Sequence, residues 1–166
     1  MVIAHSEDFY LKKLFENIKI REVMKTPVVT VYEDDELSAA EQMLVQHSLS
    51  YLPVVNHAKE VVGLLSQKYL YKAQSPRRIL KHEDLDYDPG VLVDGESYYE
   101  KEMLDGYILR NIMKKDPFTL GPEATLAEAI LNMDSRIISC IPIVEKNKIR
   151  GIVTIREIVT FVAKIL

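Results

Sequence analysis

One pattern of short apolar runs occurs twice in this chain, and that repetition restricts the fold more than any other feature. Ser50-Tyr51-Leu52-Pro53-Val54-Val55 leads, after a polar gap, to Val61-Val62-Gly63-Leu64-Leu65-Ser66. Ser139-Cys140-Ile141-Pro142-Ile143-Val144 leads in the same way to Ile149-Arg150-Gly151-Ile152-Val153-Thr154. The offset is 89 residues from Pro53 to Pro142 and 88 from Gly63 to Gly151. Each copy is short, rich in β-branched residues and interrupted by a few polar ones, which predicts two buried strands joined by a tight turn. A nearly constant offset over paired features indicates a duplicated unit.

The rest of each unit follows the same register. Met24 and Met113, like Thr30 and Thr119, are 89 apart, although Lys114-Lys115-Asp116-Pro117 carries one residue more than Lys25-Thr26-Pro27. Val28–Val31 and Phe118–Leu120 are expected as strands. Asp34-Asp35 offers caps for a helix with Leu37, Ala40, Leu44 and His47 on one side. In the second unit Thr125 and Glu128 form a capping-box pattern, and Leu126, Ala129, Ile130, Met133 and Ile137 form the apolar face. Ser66 and Thr154 cap closing helices, the first through Tyr69, Leu70 and Ala73, the second with Ile155, Ile158, Val159 and Val162 apolar. Each unit is therefore β-α-β-β-α. A leading helix, capped by Ser6, carries the stripe Leu11, Leu14, Phe15 and Ile18. The expected divisions are a leading helix (1–17), a first repeat (18–73), an acidic connector (74–107) and a second repeat (108–166). Asp94-Gly95 in the connector signals a hairpin. No calcium-loop pattern accompanies its carboxylates, so no metal is expected.

Half of this chain would have a marginal core. The expected architecture is therefore α+β, with the two repeats packed sheet-to-sheet about a pseudo-twofold axis around one shared interior. Net charge is −4, which argues against nucleic acid, whose phosphates need concentrated Lys and Arg. Cys140 stands alone, so no intramolecular disulfide forms, and its apolar strand marks it as a core residue. Neither a signal peptide nor an apolar run of the ~18 residues needed to span a bilayer is visible, and a cytoplasmic protein without a membrane role is expected. His5, His47, His57 and His82 are scattered, and no P-loop, G-x-S-x-G or H-E-x-x-H is present, so no enzyme is expected.

The shared pattern is a Met before a Thr-bearing strand, an amphipathic helix, h-P-h-V, then h-x-G-h-h-[Ser/Thr] and a helix, where h is apolar. It closely resembles the cystathionine-β-synthase-type (CBS) domain, and two in tandem resemble a Bateman module. The resemblance covers residues 18–73 and 108–166. It implies a regulatory, non-catalytic module that binds AMP, ADP, ATP or S-adenosylmethionine in clefts between the repeats. It also implies a homodimer, an effector protein as partner, and no cofactor. In the family pattern G-h-h-[Ser/Thr]-x-[Arg/Lys]-Asp, the hydroxyl and the Asp contact ribose and phosphate, and adenine lies between apolar strand residues. The second repeat has Gly151-Ile152-Val153-Thr154-Ile155-Arg156-Glu157, with Glu in place of Asp. The first has Tyr69 at that position, and a phenol cannot accept two ribose hydroxyls as a carboxylate does. The resemblance thus assigns Thr119, Cys140, Ile141, Pro142, Thr154, Arg156 and Glu157 to the better cleft. Thr30, Tyr51, Leu52, Pro53, Ser66, Lys68 and Tyr69 belong to a second cleft, expected to be empty or otherwise used. The alternative is a degenerate pair serving protein interaction or dimerisation. On that alternative Pro53 and Pro142 only shape edge strands, and Ser66 and Thr154 only cap helices.

Overall fold

The computed structural model describes residues 4–67 and 108–165. Lys68, Tyr69, the helix expected after Ser66 and the acidic connector with its Asp94-Gly95 turn lie outside the described residues. In chain order the elements are α1 (Ala4–Asn17), α2 (Ile20–Val23), β1 (Val31–Tyr32), α3 (Leu37–Gln46), β2 (Tyr51–Val55) and β3 (Val61–Ser66). A 3-10 turn (Leu109–Asn111), β4 (Lys114–Lys115), α4 (Leu126–Arg136), β5 (Cys140–Glu145), β6 (Lys148–Thr154) and α5 (Ile155–Ile165) follow. One sheet has the order β1-β2-β3-β4, and β5 pairs with β6. The mixed α+β class expected from the sequence is borne out.

Both predicted hairpins form. Tyr51 pairs with Ser66 and Cys140 with Thr154, and each ladder slips by one residue at the same repeat position, Val54/Val55 and Ile143/Val144. A bulge kept at both places pins the register of each hairpin. Pro142 turns its carbonyl away from β6 to accept from the Leu120 amide at 3.3 Å. Its missing N–H faces that same side, so the proline removes nothing from the β5–β6 ladder.

The halves are not merely apposed; each completes the other. Lys25 bridges Ile152 in β6, and Lys114 pairs with Leu64 in β3. The Ile20 amide donates to the Ala124 carbonyl at 2.8 Å, and the Leu109 amide to the Asp35 carbonyl at 2.9 Å. Lys19 bridges Thr125, and Glu36 bridges Ile108. Every member of these pairs has its repeat equivalent in the other, so a pseudo-twofold axis relates them. Glu60 bridges Lys148, its own repeat equivalent, which puts the axis between the two hairpin tips. The glycines mark the closest approach. A Cβ on Gly63 would lie 2.2 Å from Met113 Sδ, and one on Gly151 would lie 2.3 Å from Met24 Sδ.

Two hydrophobic clusters result, where the sequence led us to expect one interior. The first gathers Val31, Leu37, Ala40, Leu44, Leu52, Val54 and Leu65 around Leu109, with Ile112 and Met113 packed on it. The second gathers Leu120, Leu126, Ala129, Met133, Ile141, Ile143 and Val153 around Ile20 and Val23, with Met24 packed on it. Each core is thus filled by the segment that opens the other half. Phe15 and Ile18 also join the second cluster, which is how α1 lies against α4.

Several local expectations are corrected. The first strand is Val31–Tyr32 and not Val28–Val31, and Phe118–Leu120 contributes a single parallel bridge, Leu120 to Ile143. Asp35 does not cap α3. Its carboxylate accepts from the Tyr32 amide at 2.8 Å, closing a turn instead, and Glu36 occupies the cap position without a side-chain bond to the helix amides. Local side-chain bonds of this kind compete with capping. Ser6 lies inside α1 and is not its cap. His47 ends α3 exposed, and Ile137 ends α4 at φ 54 with 93% of its surface exposed, so neither belongs to a buried face. Lys114–Lys115 is a strand that periodicity did not announce, because its partner lies in the other repeat.

Candidate functional site

The second-repeat candidates converge on the end of the β5–β6 hairpin. Cys140 and Thr154 are cross-strand partners, Ile141 and Pro142 follow on β5, and Leu120 carries Thr119 along the free edge of β5. Cys140, Ile141 and Pro142 are buried, and Ile141 is part of the second core cluster. Burial, with the Glu157 carboxylate adding to it, pushes the Cys140 thiol well above its usual range. That fits a packing residue and not a nucleophile.

The polar groups come from the strand-to-helix junction. Thr154 ends β6, and α5 begins at the next residue. Its hydroxyl accepts from the Arg156 amide at 3.2 Å. The Glu157 carboxylate reaches back, accepting from the Thr154 amide at 3.0 Å and from the Thr154 hydroxyl. Glu157 thus reaches back to the cap amide as in a capping box, while the Thr154 hydroxyl takes the second helical amide, Arg156, in place of the third. Both of the Glu157 bonds fall on one carboxylate oxygen, Oε2. The Arg156 side chain is exposed and makes no ion pair among the described residues. A half-buried carboxylate, a hydroxyl and an unpaired guanidinium therefore lie within one helical turn. They suit a ligand with vicinal hydroxyls and an anionic group.

The first-repeat candidates hold equivalent backbone positions. Tyr51 pairs with Ser66, Leu52 with Leu65 and Pro53 with Leu64, and Thr30 immediately precedes β1. Leu52 and Pro53 are buried, while Thr30, Tyr51 and Ser66 are half-buried. The Gln67 amide donates to the Ser50 carbonyl at 2.8 Å, as the Ile155 amide does to Ser139 at 3.3 Å. Lys68 and Tyr69, which would complete this cleft, are outside the described residues.

Sequence reasoning missed an apolar groove beside the second site. It has a volume of about 530 Å³ and is lined by Ile130, Met133, Ile137 and Ile138 on one bank and by Ile155 and Ile158 of α5 on the other. Ile137, exposed at the left-handed turn that ends α4, is part of its lining, and a helical-face pattern carries no signal for that turn. Among the described residues no group of His, Cys, Asp or Glu could hold a metal ion, and no helix is long and apolar enough to cross a membrane.

Comparison with known proteins bears on the fold. An uncharacterized protein of Methanocaldococcus jannaschii is 26% identical over 91% of this chain and 33% of its own length. A homoserine O-acetyltransferase of Methanosalsum zhilinae is 24% identical over 91% of this chain and 25% of its own. The chain thus spans a third or less of these curated relatives. Among solved structures, the CBS domain pair of protein MJ0100 in complex with 5′-methylthioadenosine and S-adenosyl-L-methionine superposes with a TM-score of 0.66 at 17% identity, covering 89% of this chain and 98% of that one. CBSX2 in complex with AMP gives 0.67 at 18% identity, covering 90% and 98%. The CBS domain description matches residues 20–76 and again 109–164. The chain belongs to the CBS domain family and carries the domain twice.

Proposed function

We propose that this CBS pair is a non-catalytic sensor that binds an adenosine-containing ligand, AMP, ADP, ATP or S-adenosylmethionine, at the second-repeat cleft. The observation that carries the reading is the grouping of Thr154, Arg156 and Glu157 at one strand-to-helix junction, beside the β5 strand that carries Cys140, Ile141 and Pro142. Thr119 lies at its edge. The first cleft, from Thr30, Tyr51, Leu52, Pro53, Ser66, Lys68 and Tyr69, has no carboxylate at the matching position and is empty or otherwise used. Occupancy passes to an effector protein or through a homodimer. A cytoplasmic setting suits a lone cysteine that is buried in a strand. The ligands carried by MJ0100 and CBSX2 support the choice of ligand class.

A second reading also has an observation behind it. Glu157 is already engaged by Thr154, which is all a helix cap requires, so the pair could serve protein interaction without a nucleotide. A thermal-shift panel of the four ligands separates the two. At a hundred times its Kd, a ligand adds about 2.7 kcal/mol, which for a protein of this size raises Tm by roughly 5–10 °C. The sensor reading expects such a rise for at least one ligand, abolished by Glu157→Gln. No shift with any of them at millimolar concentration sinks it and leaves the interaction module.

A further inference from the structure

We propose that Glu157 couples ligand occupancy to the first turn of α5, because the carboxylate that caps this helix in the free protein is the one a ribose must claim. The inference rests on the sensor reading and concerns how the same site reports its state. In the free protein Oε2 of Glu157 takes the Thr154 amide at 3.0 Å and the Thr154 hydroxyl, while that hydroxyl takes the Arg156 amide at 3.2 Å. A ribose diol that donates to both carboxylate oxygens needs a lone pair on Oε2, where Thr154 already holds two, so at least one of the Thr154 bonds breaks. Thr154 then directs its hydroxyl to the ligand, and the turn loses its box.

The turn has few other anchors. Helix α5 buries none of its residues completely, and Ile155 and Val159 are 51% and 60% exposed. Only Ile158 and Phe161 pack on the second core. The amide of Ile155 has a long 3.3 Å bond to Ser139. Capping therefore supplies a large share of the local stability, and its loss is felt at once. Ile155 and Ile158 also form one bank of the apolar groove, so a loosened turn alters a surface and not just the cleft. Glu suits this double use. It reaches back from the third helical position as a capping box requires, whereas the family's Asp is one methylene shorter.

Hydrogen exchange of the full chain, with and without saturating AMP, reads the coupling directly. AMP is expected to speed exchange of the Thr154 and Arg156 amides about fivefold, the equivalent of a cap worth ~1 kcal/mol. Glu157→Asp weakens the cap, so free-protein exchange at these amides rises and AMP binds about fivefold tighter. Glu157→Gln keeps a capping oxygen, so exchange stays slow while AMP binding is lost. If AMP raises Tm but leaves these amides unchanged or slows them, or if Glu157→Asp weakens AMP, the coupling is overturned and the sensor reading stands. If AMP and the other three ligands leave Tm unmoved, the sensor reading itself has failed and the coupling falls with it.

Discussion

The two repeats share a scaffold bridge for bridge and part company where solvent begins. Val31 joins Val54 as Leu120 joins Ile143, and Lys25 meets Ile152 as Lys114 meets Leu64. Even the left-handed ends of the two helices match, Ser48 at φ 49 and Ile137 at φ 54. Yet Ser48 is polar and Ile137 is apolar. Glu41, Gln42 and Gln67 in the first half likewise stand where Ile130, Leu131 and Ile155 stand in the second. Tyr69 stands where Glu157 closes its box. The lesson is that reciprocal exchange constrains the residues at the seam and leaves the outward faces free to diverge. A symmetric frame can therefore carry one chemically equipped cleft and one that is not.

The strongest way to break this comparison is to cut into the exchange. Ile20 and Leu109 are both fully buried, each in the cluster of the opposite half. Ile20→Ala and Leu109→Ala should each cost about 2–5 kcal/mol. Hydrogen exchange should then show Ile20→Ala loosening β5 and β6 first, and Leu109→Ala loosening β2 and β3. Loosening of the mutated residue's own half instead would refute reciprocal filling. A smaller effect sharpens the same point. Gly151→Ala and Gly63→Ala intrude on the facing methionines and should cost about 1–3 kcal/mol each. In a double-mutant cycle Gly151→Ala should couple to Met24→Ala and not to Met113→Ala.

The smallest expected effect lies at the surface of the first half alone. Asp34 Oδ2 meets His57 Nε2 at 2.9 Å, and that hydrogen bond, reinforced by the backbone, holds the Asp34 carboxyl below its ordinary range. A depressed carboxylate stabilises the fold above its unfolded pKa, and the contribution disappears as pH falls through the folded value. Unfolding curves of the native chain and His57→Ala should therefore differ slightly at neutral pH and converge in acid. The second half places Glu123 at this position, paired with Arg21 instead of a histidine. Curves that stayed parallel into strong acid would remove His57 from the account.

The hairpins, the amphipathic helices and the duplication were legible because each is a local pattern with its own period. Thr125 was legible as a cap, and its hydroxyl does accept from the Glu128 amide at 3.1 Å. What the sequence hid was non-local. Lys114–Lys115 carries no strand pattern, because two exposed lysines become a strand only when β3 of the other half lies beside them. The division of the core was hidden for the same reason, since Ile20 looks equally apolar whichever cluster receives it. Asp34-Asp35 misled because a short carboxylate can close a turn as readily as it caps a helix. At the site, the residues of the second cleft were nameable from the motif. The bond between Glu157 and Thr154 was not, as the motif does not say whether a carboxylate waits for a ligand or is already in use.

Calorimetric titration of AMP into the full chain tests the unequal clefts most directly, because it counts sites. The account predicts one AMP per chain and no heat from Glu157→Gln. Two AMP per chain, or binding that survives Glu157→Gln, would show that the first cleft is equipped after all and that the asymmetry drawn here is wrong.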